Sequence, residues 1–288
     1  MSVINASRHH EQVIRELVGL PQELDCKAHA SKSRVPIAEA RRALELPEPA
    51  YRELLAPDRW LAGGAVLRWL AGGFDYRAIR SGGDYDFFVP SLEALNRTLD
   101  ELLARDFSFR CFRSLKIMCP LCGRPAEVSR RVRARASRSA VDPIRCPECG
   151  ELDADDADRF PVERVLRLTP ELIGEHHVLA IELLSPAGDL VHLSARPFYE
   201  TPGKVIAGFD FSVVQFGLDH EFLYSGPYAW PDLLRRRLRR NPGRRNTTYS
   251  RFRKYRAMGF RPYPDTTAWF LWNAVKWRTR RLLRLPDA

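Results

Sequence analysis

The sequence predicts an α+β fold, a mixed sheet flanked by helices, with a cysteine-rich insertion and a basic helical C-terminal region. Three observations lead there. Short runs of strand character recur among amphipathic helical stretches. Two C-x-x-C turns bracket a segment that interrupts these runs, and positive charge is concentrated after residue 230.

Taken in order, residues 1–57 read as a polar N-terminal helical region, with "RHHEQVIRELVGL" and "PIAEARRALEL" as its amphipathic pieces. The core spans 58–118 and 159–230. In it, "AVLRWLAG" is a short helix following Gly63-Gly64, and "DYDFFV" (84–89) is a strand. "SLEALNRTLDELLARD" (91–106) is a helix with Ser91 as its N-cap, and "FSFRCF" (107–112) is a strand entering the insertion. The insertion covers 119–150, and "ELDADDAD" (151–158) is an acidic, solvated linker. Strands resume in "HHVLAIELL" (176–184), "GDLVHLSA" (188–195) and "GFDFSVVQFG" (208–217), with His176 and His177 as structural histidines. Residues 231–288 form the basic helical region. "PDLLRRRLRR" runs helically to a break at Asn241-Pro242-Gly243, and "TTYSRFRKYRAMGF" ends at Gly259 as a C′ glycine. A last helix starts after Asp265 and buries Trp269, Phe270, Trp272 and Trp277.

The 288 residues carry a formal net charge of +10, unevenly spread. From Pro231 onward there are 17 Lys/Arg and 3 Asp/Glu, so this segment alone carries +14 and the rest sums to −4. A basic surface concentrated in one segment suits a polyanion, because each phosphate neutralised releases counterions. Arg236, Arg240 and Arg244 are its candidate nucleic-acid contacts. No opening apolar leader and no membrane-spanning run is visible, so the expectation is a soluble, cytoplasmic protein without a membrane partner.

Of six cysteines, Cys119, Cys122, Cys146 and Cys149 form C-P-L-C-G and C-P-E-C-G, two turns separated by 23 residues. Each turn directs two thiolates at one metal, and four thiolates close the tetrahedral shell of a structural Zn2+. Cys26 and Cys111 read as small hydrophobes. So small a module cannot build much core, so its metal would supply folding energy. Between the turns lie seven arginines and two acids. Arg130, Arg131, Arg133 and Arg135 are placed to grip a phosphate backbone, with a solvated loop as the alternative.

"LAGGAVLRWLAGGFDYRAIRSGGDYDFFVP" (61–90) holds three Gly-Gly pairs and one Asp-x-Asp. Alternation on a strand puts Asp84 and Asp86 on one face, leaving Tyr85 and Phe87 to pack on the other. Two adjacent carboxylates repel unless a cation lies between them, and Mg2+ answers that need. Gly63-Gly64, at a helix N-terminus, lets backbone amides approach a phosphate. Gly72-Gly73 is a C-cap, and Gly82-Gly83 turns the chain into the strand of Asp84.

"GGAVLR" followed by "DYDFF" resembles the head of the DNA-polymerase-β-like nucleotidyltransferase superfamily, in a form similar to CCA-adding enzymes and bacterial poly(A) polymerases. With "GFDFSVVQ" and "RFRKYRAMGF", the order is similar to nucleotidyltransferase-like proteins of phages and mobile elements. The resemblance implies a nucleotidyltransferase fold, an NTP substrate held at Gly63 and Gly64, and two Mg2+ ions on Asp84 and Asp86. It also implies a third acid on a neighbouring strand. Asp210, between Phe209 and Phe211, fits that pattern, with Asp189 second. Arg68 and Lys254 are candidate nucleotide contacts, with a surface ion pair and helix packing as their respective alternatives. The chain has no Arg-Arg-Asp-x-x-x-Asn-Ala segment of the CCA-adding type, and the zinc-ribbon insertion lies outside the common core.

The implied reaction is in-line attack of an acceptor hydroxyl on the α-phosphate, with positioning and charge neutralisation as its main sources of rate. RNA is the expected acceptor, tRNA included, and a protein partner is left open. The rival readings are an enzyme of the same fold that modifies a protein or small molecule, and a catalytically silent nucleic-acid-binding or assembly subunit.

Overall fold

The structure, a computed structural model, describes residues 3–71, 84–114, 117–118, 125–128, 144–146, 150–152, 178–195, 197–242 and 249–282. In chain order these form α1 (Val3–Val18), β1 (Arg34–Pro36), α2 (Ile37–Leu44), β2 (Trp60–Ala62), α3 (Gly64–Ala71), β3 (Tyr85–Phe88), α4 (Leu92–Ala104) and β4 (Ser108–Ser114). There follow β5 (Ile117–Met118), β6 (Pro125–Val128), β7 (Ile144–Cys146), β8 (Gly150–Leu152), β9 (Val178–Leu184) and β10 (Leu190–Ser194). The chain continues with α5 (Pro202–Ala207), β11 (Phe216–Leu218), β12 (Phe222–Ser225), α6 (Ala229–Leu234), β13 (Arg237–Leu238), α7 (Tyr249–Ala257), β14 (Arg261–Pro262) and α8 (Pro264–Leu282). Helices and mixed strands together are compatible with the predicted α+β class. Two compact units divide the chain, one from 1–83 with 201–288, the other 84–200.

In the first unit, β1, β12, β11 and β2 pair antiparallel in that order. Helix α1 buries Ile14, Leu17 and Val18, spaced three and four apart so that they share one face. The N-terminal region therefore supplies a strand as well as helices: Val35 sits opposite Leu223, and both are buried. The predicted strand over 208–217 is shorter than expected. Phe211 forms an isolated bridge with Arg240, Ser212–Val214 coil into a 3-10 turn, and only Phe216–Leu218 continue as strand. The run "PDLLRRRLRR" likewise leaves the helix at Leu234. Arg236 takes a φ of 51°, and Arg237-Leu238 turn into a strand parallel to Arg261-Pro262.

A buried polar knot holds this region. Asp232 is fully buried and accepts hydrogen bonds from Ser212 Oγ at 2.6 Å, Arg239 Nε at 3.0 Å and the Tyr263 hydroxyl at 2.9 Å. Arg239 also donates to the Cys26 carbonyl at 2.7 Å, and its guanidinium lies over the rings of Tyr228 and Tyr263 at 4.2 and 4.5 Å. Burial works against the Arg239 charge, but its bond to Asp232 outweighs that and raises its pKa; burial and the Asp232 carboxylate raise that of Tyr263.

In the second unit, β3 pairs parallel with β10, which pairs antiparallel with β9, itself antiparallel to β4. Helix α4 begins where Ser91 accepts a hydrogen bond from the Ala94 amide, and it buries Leu95, Leu99 and Leu102. In the insertion, β5, β6, β7 and β8 form an antiparallel sheet, with Cys146 opposite Gly150. Cys119, Cys122 and Cys149 lie outside the described residues, as do Gly72, Gly73, Gly82, Gly83, His176 and His177. Among the described residues, no helix is long and apolar enough to cross a membrane.

Removing the acid of the buried knot strands a guanidinium and two hydroxyls. Asp232→Ala should destabilise the protein by about 3–5 kcal/mol. Urea denaturation checks this, and a loss under about 1 kcal/mol would mean that water replaces the carboxylate.

Candidate active site

Asp84 stands at the entry to β3 and Asp86 within it, so strand alternation turns both carboxylates to one face. Phe87, on the other face, is buried and fixes which side is which. Neighbouring strands then align three ionisable side chains in a row. Register places His192 of β10 opposite Asp86 of β3, and Glu182 of β9 opposite His192.

The imidazole of His192 is 3% exposed and touches all three acids. Its Nδ1 lies 3.0 Å from Asp86 Oδ1 and 3.2 Å from Asp84 Oδ2, so one N–H is shared between the two carboxylates. Its Nε2 lies 3.4 Å from Glu182 Oε1, an ion pair without hydrogen-bond geometry. Burial on its own would lower the imidazole pKa. The carboxylates of Asp84, Asp86 and Glu182 outweigh it and push the value up to about 11. Without a metal, the ring is therefore an imidazolium at neutral pH.

One oxygen each from Asp84 and Asp86 and one nitrogen of His192 lie within 4.8 Å of one another. That donor set fits a hard divalent cation: the carboxylates suit Mg2+ or Mn2+, and an imidazole that has lost its proton is a competent third donor. Proton and cation compete for the same ring nitrogen.

The other predicted residues are placed as follows. Gly63 has a φ of 81°, and a Cβ there would come within 3.0 Å of the Phe209 ring. Its N–H donates to the Phe216 carbonyl at 2.9 Å, so the amides that could face a phosphate are those from Gly64 onward, in the first turn of α3. Arg68 folds back over that turn, with Nη1 3.6 Å from where a Cβ of Gly64 would stand. Asp210, in the first unit, is buried in a bend rather than on a strand, and its Oδ2 lies 3.4 Å from Arg251 Nη1. Lys254 is exposed, while the adjacent Tyr255 is buried edge-on against Phe211. Arg236 is exposed; Arg240 is half-buried, 4.5 Å over the Trp269 ring. Phe270 is buried and stacked on Phe252, but Trp272 is 69% exposed, against its expected burial. Arg130, Arg131, Arg133, Arg135 and Arg244 lie outside the described residues, and of Trp277 only the helical backbone is described.

Sequence reasoning missed His192 and Glu182. The available signal was an ionisable residue inside each of two apolar strands, "LVHLS" and "VLAIELL".

No protein-family model matches the chain, and no curated protein matches it in sequence. Among solved structures, it is similar to the Thermotoga maritima CCA-adding enzyme complexed with tRNA, at 12% identity and a TM-score of 0.37, over 73% of this chain and 37% of that one. It is similar also to a CCA-adding enzyme in complex with CTP, at 12% identity and a TM-score of 0.35, over 73% of this chain and 38% of that one. The chain thus covers well under half of either enzyme, and at these TM-scores the likeness carries no weight for fold or function.

His192 binds its proton more tightly folded, near 11, than at its ordinary value of 6.5. Its stabilisation is therefore complete below the lower value and lost as pH rises toward the upper. In EDTA, the stability advantage of the wild type over His192→Gln should shrink steadily between about pH 7 and about pH 10. Paired urea denaturation series measure it, and a constant difference would mean a neutral ring throughout.

Proposed function

We propose that the chain is a metal-dependent nucleotidyltransferase that moves a nucleotide from an NTP to an RNA acceptor, tRNA included. The observation that carries this is the pair of carboxylates, Asp84 and Asp86, turned to one point on β3 with His192 as a third donor. Asp84 and Asp86 would hold Mg2+; a role for Asp210, in the first unit, rests on the sequence resemblance alone. The bound cation would polarise the α-phosphate and neutralise charge as pyrophosphate leaves. Gly64 and the first turn of α3 would meet phosphate oxygens through amides, with Gly63 fixing the turn and Arg68 folded over it. Lys254, exposed on α7, would add charge to the nucleotide.

In the insertion, Cys119, Cys122, Cys146 and Cys149 are proposed to bind one structural Zn2+. Arg130, Arg131, Arg133 and Arg135 would then meet the RNA backbone, with Arg236 and Arg244 doing so from the C-terminal region; Arg240, held over the Trp269 ring, would add charge rather than a mobile contact.

A second reading is favoured by His192 itself. A buried imidazolium already relieves the repulsion between Asp84 and Asp86, so a catalytically silent binding subunit could keep both acids without a metal. Incubation with each labelled NTP, Mg2+ and total RNA separates the readings. Label on RNA supports the transferase, and label on protein supports an enzyme with another acceptor. No transfer, together with salt-sensitive RNA binding, supports the silent subunit.

Asp84→Asn and Asp86→Asn should each lower transfer roughly a hundredfold or more, with far-ultraviolet circular dichroism confirming that the variants are folded at the assay temperature. Activity retained in either would remove the metal assignment. Cys146→Ser should release zinc, read by atomic emission, and unchanged metal content would exclude the four-thiolate site.

A further inference from the structure

His192 divides the acid cluster of the second unit into an inner and an outer side. On the inner side, its Nδ1 lies 3.0 Å from Asp86 Oδ1 and 3.2 Å from Asp84 Oδ2. Donor atoms on adjacent corners of an octahedron with metal bonds of about 2.1 Å stand about 3 Å apart. The nitrogen is therefore spaced from each carboxylate as one ligand is from its neighbour. The same distances serve a hydrogen-bonded ion pair, so spacing alone does not separate the two.

The outer side carries the second observation. Nε2 is a buried atom that makes no hydrogen bond among the described residues, and it lies 3.4 Å from Glu182 Oε1. Glu182 is 7% exposed and sits in the apolar strand β9 between Ile181 and Leu183, both fully buried. Register sets it directly across from His192, which is directly across from Asp86. An imidazole that ligates a metal through one nitrogen presents its other N–H to a carboxylate or carbonyl, which fixes the tautomer and ring orientation and strengthens the ligand. Glu182 stands where that outer carboxylate belongs.

The donor set also discriminates between ions. Mg2+ is held almost wholly by oxygen, whereas first-row transition ions accept an imidazole nitrogen alongside carboxylate oxygens. We infer that His192 ligates a metal through Nδ1 and that Glu182 is the positioning residue behind it, so that the cluster takes a first-row transition ion such as Mn2+ in preference to Mg2+ at equal concentration. This rests on the metal part of the proposed function and on none of its nucleotide or RNA chemistry.

The test is Mn2+ binding to the full chain without nucleotide, followed by electron paramagnetic resonance. Pulsed spectra read the nuclear coupling of a ligating nitrogen, and competition with Mg2+ reads the preference. The wild type should show nitrogen coupling on the bound ion and hold Mn2+ roughly tenfold or more above Mg2+. His192→Gln should lose the coupling and lower the preference several-fold. Glu182→Leu should weaken Mn2+ binding roughly tenfold, and Glu182→Gln, whose carbonyl still accepts from Nε2–H, should recover most of it. Far-ultraviolet circular dichroism confirms that each variant is folded. No Mn2+ binding, equal affinity for the two ions, or coupling that is absent or survives His192→Gln overturns the inference, and wild-type affinity in Glu182→Leu overturns the positioning role. Transfer that runs on Mg2+ with no nitrogen coupling would remove this inference and leave the transferase. Nitrogen-coupled Mn2+ with no transfer from any NTP would do the reverse.

Discussion

Two carboxylates on one strand face repel each other, and what lies between them determines the rest of the acid cluster. In this protein an imidazolium lies there, set by sheet register rather than by any local motif. Glu182, His192 and Asp86 sit opposite one another on three consecutive strands, giving an alternating row of charge. A slip of one residue in β10 would exchange His192 for Val191 or Leu193, both fully buried among apolar neighbours. Packing of those flanking side chains therefore holds the charged row in place. Opposite charges directly across a sheet are favourable, and burial reduces the water that would screen them.

The same geometry would let a proton on His192 and a divalent cation exclude each other. With its proton, His192 is the counter-ion of the acids. Without it, the ring nitrogen would be available as a ligand, and the two carboxylates would need another cation. A divalent ion bound here would have to displace the His192 proton, which would couple its affinity to pH. Mg2+ prefers oxygen ligands and Mn2+ accepts nitrogen more readily, so the imidazole would bear on which ion the acids could take.

Local features were legible in the sequence because local physics decides them. Ser91 caps α4, Asp84 and Asp86 share a face, α3 follows Gly63, and Gly259 closes α7 with a φ of 92°. Features set by distant partners were not. His192 and Asp86 are 106 positions apart, and nothing in either segment records their pairing. Arg34–Pro36 is too short to show a period, yet it is a strand because β12 offers it an edge. The arginine run after Leu234 has strong helix formers, but the left-handed Arg236 and pairing of Arg237 with Arg261 override propensity.

Charge counted along the sequence also overstates what the C-terminal region offers a polyanion. Arg237 lies 4.5 Å over the Tyr263 ring, Arg239 is sandwiched between Tyr228 and Tyr263, and Arg240 covers Trp269. A guanidinium held on an aromatic face keeps its charge but gives up much of its freedom to follow a phosphate backbone. Arg239 is further fixed by a fully buried Asp232, and Arg251 is paired with Asp210. The exposed Arg253 and Lys254 on α7 are better placed for a mobile, salt-dependent contact. The basic region is thus divided, with one set of arginines packed on the aromatic rings of its own unit and another exposed on α7.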